Sequence, residues 1–301
     1  AEDIQLLPGS SFRLLRWKRS LGEVEALDPE GRAHRIAGAG RRWHYHAHTE
    51  LTAIIRGSGL RFIGDTIRPF RAPDIVMIGG GLPHYWHEAG PTVGYAVQMG
   101  PEFEEALGRF GELAALGAIW RAAARGVEFV GAGVSGLIRG LRALERARGP
   151  ERLARLLAIL AAIARWPAPE RRPIASSPTS TVLRRSPPYR GIQLAVHAAF
   201  ERFAQPLRLG DVVAEAHMSK ATFCRQFRRF TGRTFLRFVA DIRLNHAARR
   251  LAETDDPIGE IAFDSGWNNL SHFHHQFRTM FHCSPRQFRR RLRRDSSRKA
   301  R

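Results

Sequence analysis

Cysteine and lysine are scarce in this chain, and long apolar runs are missing. Two cysteines, Cys224 and Cys283, among 301 residues leave no disulfide framework and no Cys-rich zinc site to carry the fold. The longest apolar run, Leu156 to Ala164, lies between Arg155 and Arg165 and is too short to span a bilayer. The first twenty residues carry Arg13, Arg16, Lys18 and Arg19 around no apolar core, so no secretory leader is read there. These absences point to a cytoplasmic protein with no membrane partner. Acidic residues are also outnumbered, 28 against 48 basic ones, for a net charge of +20. Such an excess implies a polyanionic partner, nucleic acid first and an anionic membrane surface second. Only Lys18, Lys220 and Lys299 are lysine, so genome composition is a competing source of the arginine excess.

What is present changes character along the chain. Hydrophobic residues at 44% and charged residues at 25% give a globular composition, with length enough for two domains. Up to about residue 99, short apolar runs are broken by Gly and Pro turns. Examples are Leu51–Ile55 before Gly57-Ser58-Gly59, Leu60–Ile63 before Gly64-Asp65, and Ile75–Ile78 before Gly79-Gly80-Gly81. They predict a sandwich or barrel. Residues 101–166 read as Ala/Leu/Arg-rich helix. There Leu153, Leu156, Leu157, Leu160 and Ile163 form an apolar stripe, core or subunit interface, with Arg152 and Arg155 elsewhere on the wheel. Residues 167–188, rich in Pro, Ser and Arg, read as a linker, and 291–301 as a basic tail. Between them, 189–290 is helical, in the most basic third of the chain.

That third contains a repeat. Phe223, Phe227, Arg228, Thr234 and Phe238 return fifty residues later as Phe273, Phe277, Arg278, Ser284 and Phe288. Each copy predicts a helix, a tight turn and a second helix. Ser219 and Asn269 are N-caps, because each side chain can accept from the free amides of the following turn. The phenylalanines at i and i+4 face inward, which leaves Lys220, Arg225, Arg228 and Arg229 in one copy outward. In the other, Ser271, His274, His275 and Arg278 face out. A helix with an apolar face and hydrogen-bonding groups opposite fits a DNA major groove, although one such helix alone is more often a solvated face.

The segment Ile258-Gly259-Glu260-Ile261-Ala262-Phe263-Asp264-Ser265-Gly266-Trp267-Asn268-Asn269-Leu270-Ser271-His272-Phe273-His274-His275-Gln276-Phe277-Arg278, followed by Ser284-Pro285 and Phe288-Arg289, resembles the DNA-binding domain of AraC-type (AraC/XylS) transcription regulators. The resemblance implies two helix-turn-helix units joined by a long helix, about Thr234 to Leu251, with reading helices in neighbouring major-groove segments. It implies that Ala221, Cys224 and Arg225, with Ser271, His274 and His275, approach bases. It assigns Ser219, Lys220, Arg228, Arg229, Asn269 and Arg278 to phosphates. His217 and His282 depart from the family, which often has Gly at both places; His tolerates a positive φ less well than Gly.

The spacing of Gly38, His44, His46, Glu50 and Gly57 resembles the first cupin motif, and Gly81-Leu82-Pro83-His84 the second, with Glu88 where that motif usually ends in Asn. An unbroken strand would put His44, His46, His48 and Glu50 on one face. By resemblance, His44, His46, Glu50 and His84 match a three-His, one-Glu metal site. Imidazole and carboxylate suit Fe, Mn, Ni or Zn. The same groups could instead bond an organic effector or one another, so a divalent metal is optional and no cofactor is required.

The expected fold is therefore α+β in two domains: 1–166, a cupin-like β-barrel with a helical extension at 101–166, and 189–290, an all-α domain with two helix-turn-helix units. The expected function is an effector-responsive regulator binding double-stranded DNA, with a small-molecule effector, RNA polymerase and a second copy of itself as partners, and not an enzyme. The competing reading is a metal-dependent cupin dioxygenase or isomerase with a basic nucleic-acid-binding appendage.

Overall fold

The first third of the chain builds strands because its apolar residues come in short runs between residues that favour turns. A computed structural model describes residues 2–37, 44–176 and 189–291. Nine strands come first: β1 (Arg13–Trp17), β2 (Glu23–Leu27), β3 (Ala33–Ala37), β4 (Thr49–Arg56), β5 (Ser58–Ile63), β6 (Thr66–Arg71), β7 (Asp74–Ile78), β8 (His84–Glu88) and β9 (Val93–Met99). Two short ones follow, β10 (Val127–Phe129) and β11 (Arg171–Pro173). They form two antiparallel sheets, one of order β11-β10-β7-β4-β9-β1-β2-β3 and one of order β6-β5-β8. Trp17, Ile63, Ile78, Leu82 and Trp86 are buried together with strand residues of both sheets.

Four helices pack on the larger sheet: α1 (Pro101–Gly108), α2 (Leu116–Ala123), α3 (Val134–Arg146) and α4 (Pro150–Ala164). Leu141, Leu156, Leu160 and Ile163 join Leu14, Leu51 and Val97 in one core. Each fully buried side chain of this size stabilises the fold by about 1.5–3 kcal/mol.

The helical stripe is corrected at two places. Leu153 is 40% exposed, whereas Arg152 is buried. Arg152 turns inward because its guanidinium meets two strand-end carbonyls. Nη2 donates to Leu27 O at 3.0 Å, Nη1 donates to Asp28 O, and the group lies 5.4 Å from the Phe12 ring centre. The helical extension is also interrupted, since β10 joins the large sheet beside β7.

The linker begins later than its composition implies. Residues 167–176 belong with the strands: β11 pairs with β10, and Ile174 and Ala175 are buried. Asp65 accepts from the Ser176 amide at 2.9 Å, and Arg125 Nε donates to Ala175 O at 2.9 Å. The rest of the expected linker, 177–188, and all of the basic tail after Arg291 lie outside the described residues, as do Gly38 and Trp43. By contacts the chain divides into two units, one of Ala1–Thr66 and Phe70–Arg185, the other of Ser186–Arg301 with Ile67–Pro69.

The second unit is helical: α5 (Tyr189–Arg202), α6 (Leu209–Glu215), α7 (Lys220–Thr231), α8 (Phe235–Glu253), α9 (Ile258–Asp264) and α10 (Leu270–Phe281). Among the described residues no helix is long and apolar enough to cross a membrane.

Candidate nucleic-acid interface and histidine pocket

Each expected reading helix starts at its cap. Ser219 accepts from the Thr222 amide and Asn269 from the His272 amide, so both side chains are engaged in closing the first turn. Phe223, Phe227, Phe273 and Phe277 are completely buried. The opposite faces of α7 and α10 are open: Lys220, Ala221, Cys224, Arg225, Arg228 and Arg229 on one, Ser271, His275 and Arg278 on the other, are exposed. His274 is half-buried, its ring 5.6 Å from that of Phe273, so His275 is the more outward of the two histidines.

The two helix-turn-helix copies exchange glycine and histidine at their left-handed positions. His217 has φ 52° where the second copy has Gly266 at φ 84°, and His282 has φ 53° where the first has Gly232 at φ 72°. A Cβ on Gly266 would stand 2.6 Å from Phe203 O, so glycine is required there by contact as well as by φ. The histidines hold the same geometry at a steric cost. His282→Gly is therefore expected to raise the stability of this unit by about 0.5–1 kcal/mol, visible as a higher thermal midpoint. An unchanged or lower midpoint would mean that the His282 side chain makes compensating contacts.

Residues 212–291 match a family described as a helix-turn-helix domain. The HTH-type transcriptional activator RhaS of Klebsiella pneumoniae (strain 342) is 35% identical over 89 residues, 30% of this chain and 32% of RhaS. The HTH-type transcriptional regulator MtrA of Neisseria gonorrhoeae is 37% identical over 81 residues, 27% of each protein. The chain carries an AraC-type helix-turn-helix domain at its C-terminus. The match covers about a third of the length of these relatives, so the likeness is one of domains. A solved transcriptional regulator from Chromobacterium violaceum, titled as having an AraC-type DNA-binding domain, aligns over 35% of this chain and 93% of its own, with TM-score 0.33 and 24% identity. In the AraC-type domain here, α6 and α9 are the first helices of the two units, α7 and α10 the second, and α8 the connector.

In the first unit the four motif residues converge although the strand predicted to carry them is broken. His44 forms an isolated bridge with His84 at the edge of β8, and β4 starts only at Thr49. The break turns His48 aside to a half-buried place, where its carbonyl lies 2.9 Å from His46 Nδ1. The rings of His44 and His84 are 4.3 Å apart and those of His46 and His84 5.1 Å. One ring nitrogen from each of the three lies within 4.8 Å of the others. Glu88, by contrast, serves a turn: it accepts from Ser20 Oγ and the Leu21 amide.

Hydrogen bonding settles which nitrogen of His84 faces inward. His84 Nδ1 lies 2.8 Å from Leu82 O, and a carbonyl only accepts, so Nδ1 carries the proton and Nε2 its lone pair. That buried Nε2 has no hydrogen-bond partner among the described residues. Burial, then the charge of His44, holds His84 well below the ordinary histidine value and keeps it neutral. Burial would push Glu50 up, yet bonding from His46 and Thr52 and the nearby histidines hold its carboxyl well below the usual range. It stays ionised.

Strand register adds residues that the sequence did not disclose. Arg13, Gln98 and Glu50 are consecutive partners across β1, β9 and β4. Arg13 Nε donates to Gln98 Oε1 at 2.6 Å, and Gln98 Nε2 to Glu50 at 2.6 Å. Glu2 reaches His44 Nε2 at 3.4 Å. With Leu15, Trp17 and Trp86 these groups line a cavity of about 40 Å³, space for an ion or a few waters as it stands.

Proposed function

We propose that this chain regulates transcription by reading double-stranded DNA with α7 and α10, under control of a ligand held in the histidine pocket. The observation that carries this reading is the pair of capped helices, each with two buried phenylalanines and an open, hydrogen-bonding or basic face, within a stretch similar to named transcriptional regulators. Ala221, Cys224, Arg225, Ser271, His274 and His275 would then face bases. Lys220, Arg228, Arg229 and Arg278, with the capped ends at Ser219 and Asn269, would face phosphates.

For the first unit we infer a cupin-like barrel that senses a small molecule or a divalent metal. The inward lone pair of His84, the ionised Glu50 and the convergence of His44, His46 and His84 support a cation of the kind imidazole and carboxylate bind. The polar row of Arg13, Gln98 and Glu50 supports instead a polar organic effector. Either would bias the regulator between arrangements with different DNA affinity. RNA polymerase and a second copy of the chain, paired through 101–166, complete the expected partners. The metal set keeps one rival in view, a cupin enzyme with a DNA-binding appendage, which predicts metal-dependent turnover.

Selection of duplexes from a random pool by the purified full chain tests the DNA reading. Two enriched blocks about one helical turn apart, roughly 10 bp, support it. Retention without any enriched sequence would overturn it.

A further inference from the structure

The residue that ties one reading helix to the other lies on neither. Asp241, on the connector α8, is completely buried. Its carboxylate pairs with Arg233 Nη1 from the turn that follows α7 and with Arg237 Nε at 2.9 Å, one turn back on α8. Arg233 is itself attached to the end of α7, because Thr231 Oγ1 donates to Phe227 O at 2.7 Å and accepts from the Arg233 amide at 3.4 Å. On the other side, Arg237 Nη1 donates to Gln276 Oε1 on α10 at 3.3 Å. One buried charge thus joins the last turn of the first reading helix to the face of the second.

The remaining packing between α8 and α10 is mainly apolar, Leu244, Ala247, Ala248 and Leu251 against Phe273 and Phe277. Apolar packing is non-directional and tolerates small slides. The Arg233–Asp241 pair is hydrogen-bonded and so directional, and Arg237 adds an ion pair to the other carboxylate oxygen; ion pairs on a buried carboxylate add little net stability, and their best-attested role is to fix register. We propose that Asp241, acting through Arg233 and Arg237, is a positioning residue that sets the relative placement of α7 and α10 and so the spacing between the two DNA blocks the protein accepts. The proposal rests on the reading of α7 and α10 as the DNA-reading helices.

The test uses the full chain and the duplex enriched by selection, together with duplexes in which one base pair is added or removed between the blocks. The wild type is expected to disfavour the altered spacings by about tenfold or more. In Asp241→Asn that ratio is expected to shrink to about threefold or less, with the salt dependence of binding unchanged because the phosphate contacts remain. Gln276→Leu, which leaves Asp241 paired, is expected to shrink the ratio in the same direction, and Gln276→Glu, which can still receive Arg237, to keep it. The ratio between spacings separates positioning from folding, since partial unfolding lowers affinity for all duplexes alike. Equal losses on every spacing, or a full wild-type ratio in Asp241→Asn and Gln276→Leu, would overturn the proposal. A wild type indifferent to spacing would overturn the two-helix reading itself, and the proposal with it.

Discussion

Replacing Phe277 by alanine is expected to destabilise the second helix-turn-helix unit by about 3–5 kcal/mol, the range for deleting a buried aromatic ring. Phe277 is completely buried, with the rings of Phe281, Phe273 and Phe288 at 4.5, 5.5 and 5.5 Å. Those four rings hold α10 against Leu244 and Leu251 of α8, so the cavity would open along the whole underside of the reading helix. A loss of that size is a large fraction of the ~5–15 kcal/mol that holds an ordinary domain together, roughly a third to a half of a mid-range value. Hydrogen exchange in the full chain should therefore accelerate across 258–288, and DNA affinity should fall with it. Leu270→Ala is the control: at 39% exposure the side chain sits at the helix start and should cost well under half as much. Protection unchanged in Phe277→Ala would mean that α10 is held by something other than this aromatic core.

Arg225→Ala is expected to lower affinity for the selected duplex by about 1–3 kcal/mol, roughly five- to 150-fold, and to relax the choice of base at one position. The reason is local. Ala221 and Cys224, which share the exposed face of α7, offer little hydrogen bonding, so nothing beside Arg225 replaces a lost bidentate contact. Arg228→Ala should behave differently. Placed toward phosphate, it should weaken all sequences by a similar factor and reduce the salt slope by about 1. Binding curves for cognate and point-substituted duplexes at several salt concentrations separate the two patterns. Exchanged patterns would mean that α7 lies in the groove with the other side down.

The parts of this protein that were legible in the sequence are those governed by neighbours along the chain. The caps at Ser219 and Asn269 and the buried phenylalanine pairs each follow from a few adjacent residues, and each is present; the positive φ at His217 and His282 answers to the glycines that the resembled family often has there. The strand runs before Gly57, Gly64 and Gly79 were readable for the same reason. Convergence of His44, His46, Glu50 and His84 was expected from motif resemblance, whereas alternation alone would have kept His48 with them.

What was not legible depends on contacts between distant segments. Arg152 appears polar on a helical wheel, and only the carbonyls of Leu27 and Asp28 at the end of β2 make an inward guanidinium favourable. β10 and β11 have three residues each, too few for any alternation to register, and are defined by pairing with each other and with β7. Gln98 enters the pocket through the register of β9 between β1 and β4. Asp241 sits among the charged residues of a long helix, and its burial depends on Arg233 and Arg237 meeting over it.

The most direct test of sequence reading by α7 and α10 is a titration of the full chain with the selected duplex and with a scrambled duplex of equal length and composition, at near-physiological salt. A regulator is expected to bind the selected duplex about a thousandfold or more tightly than the scrambled one, with the gap retained as salt rises. Equal affinities that fade together with salt would mean that the +20 charge alone holds the DNA, and would contradict the account.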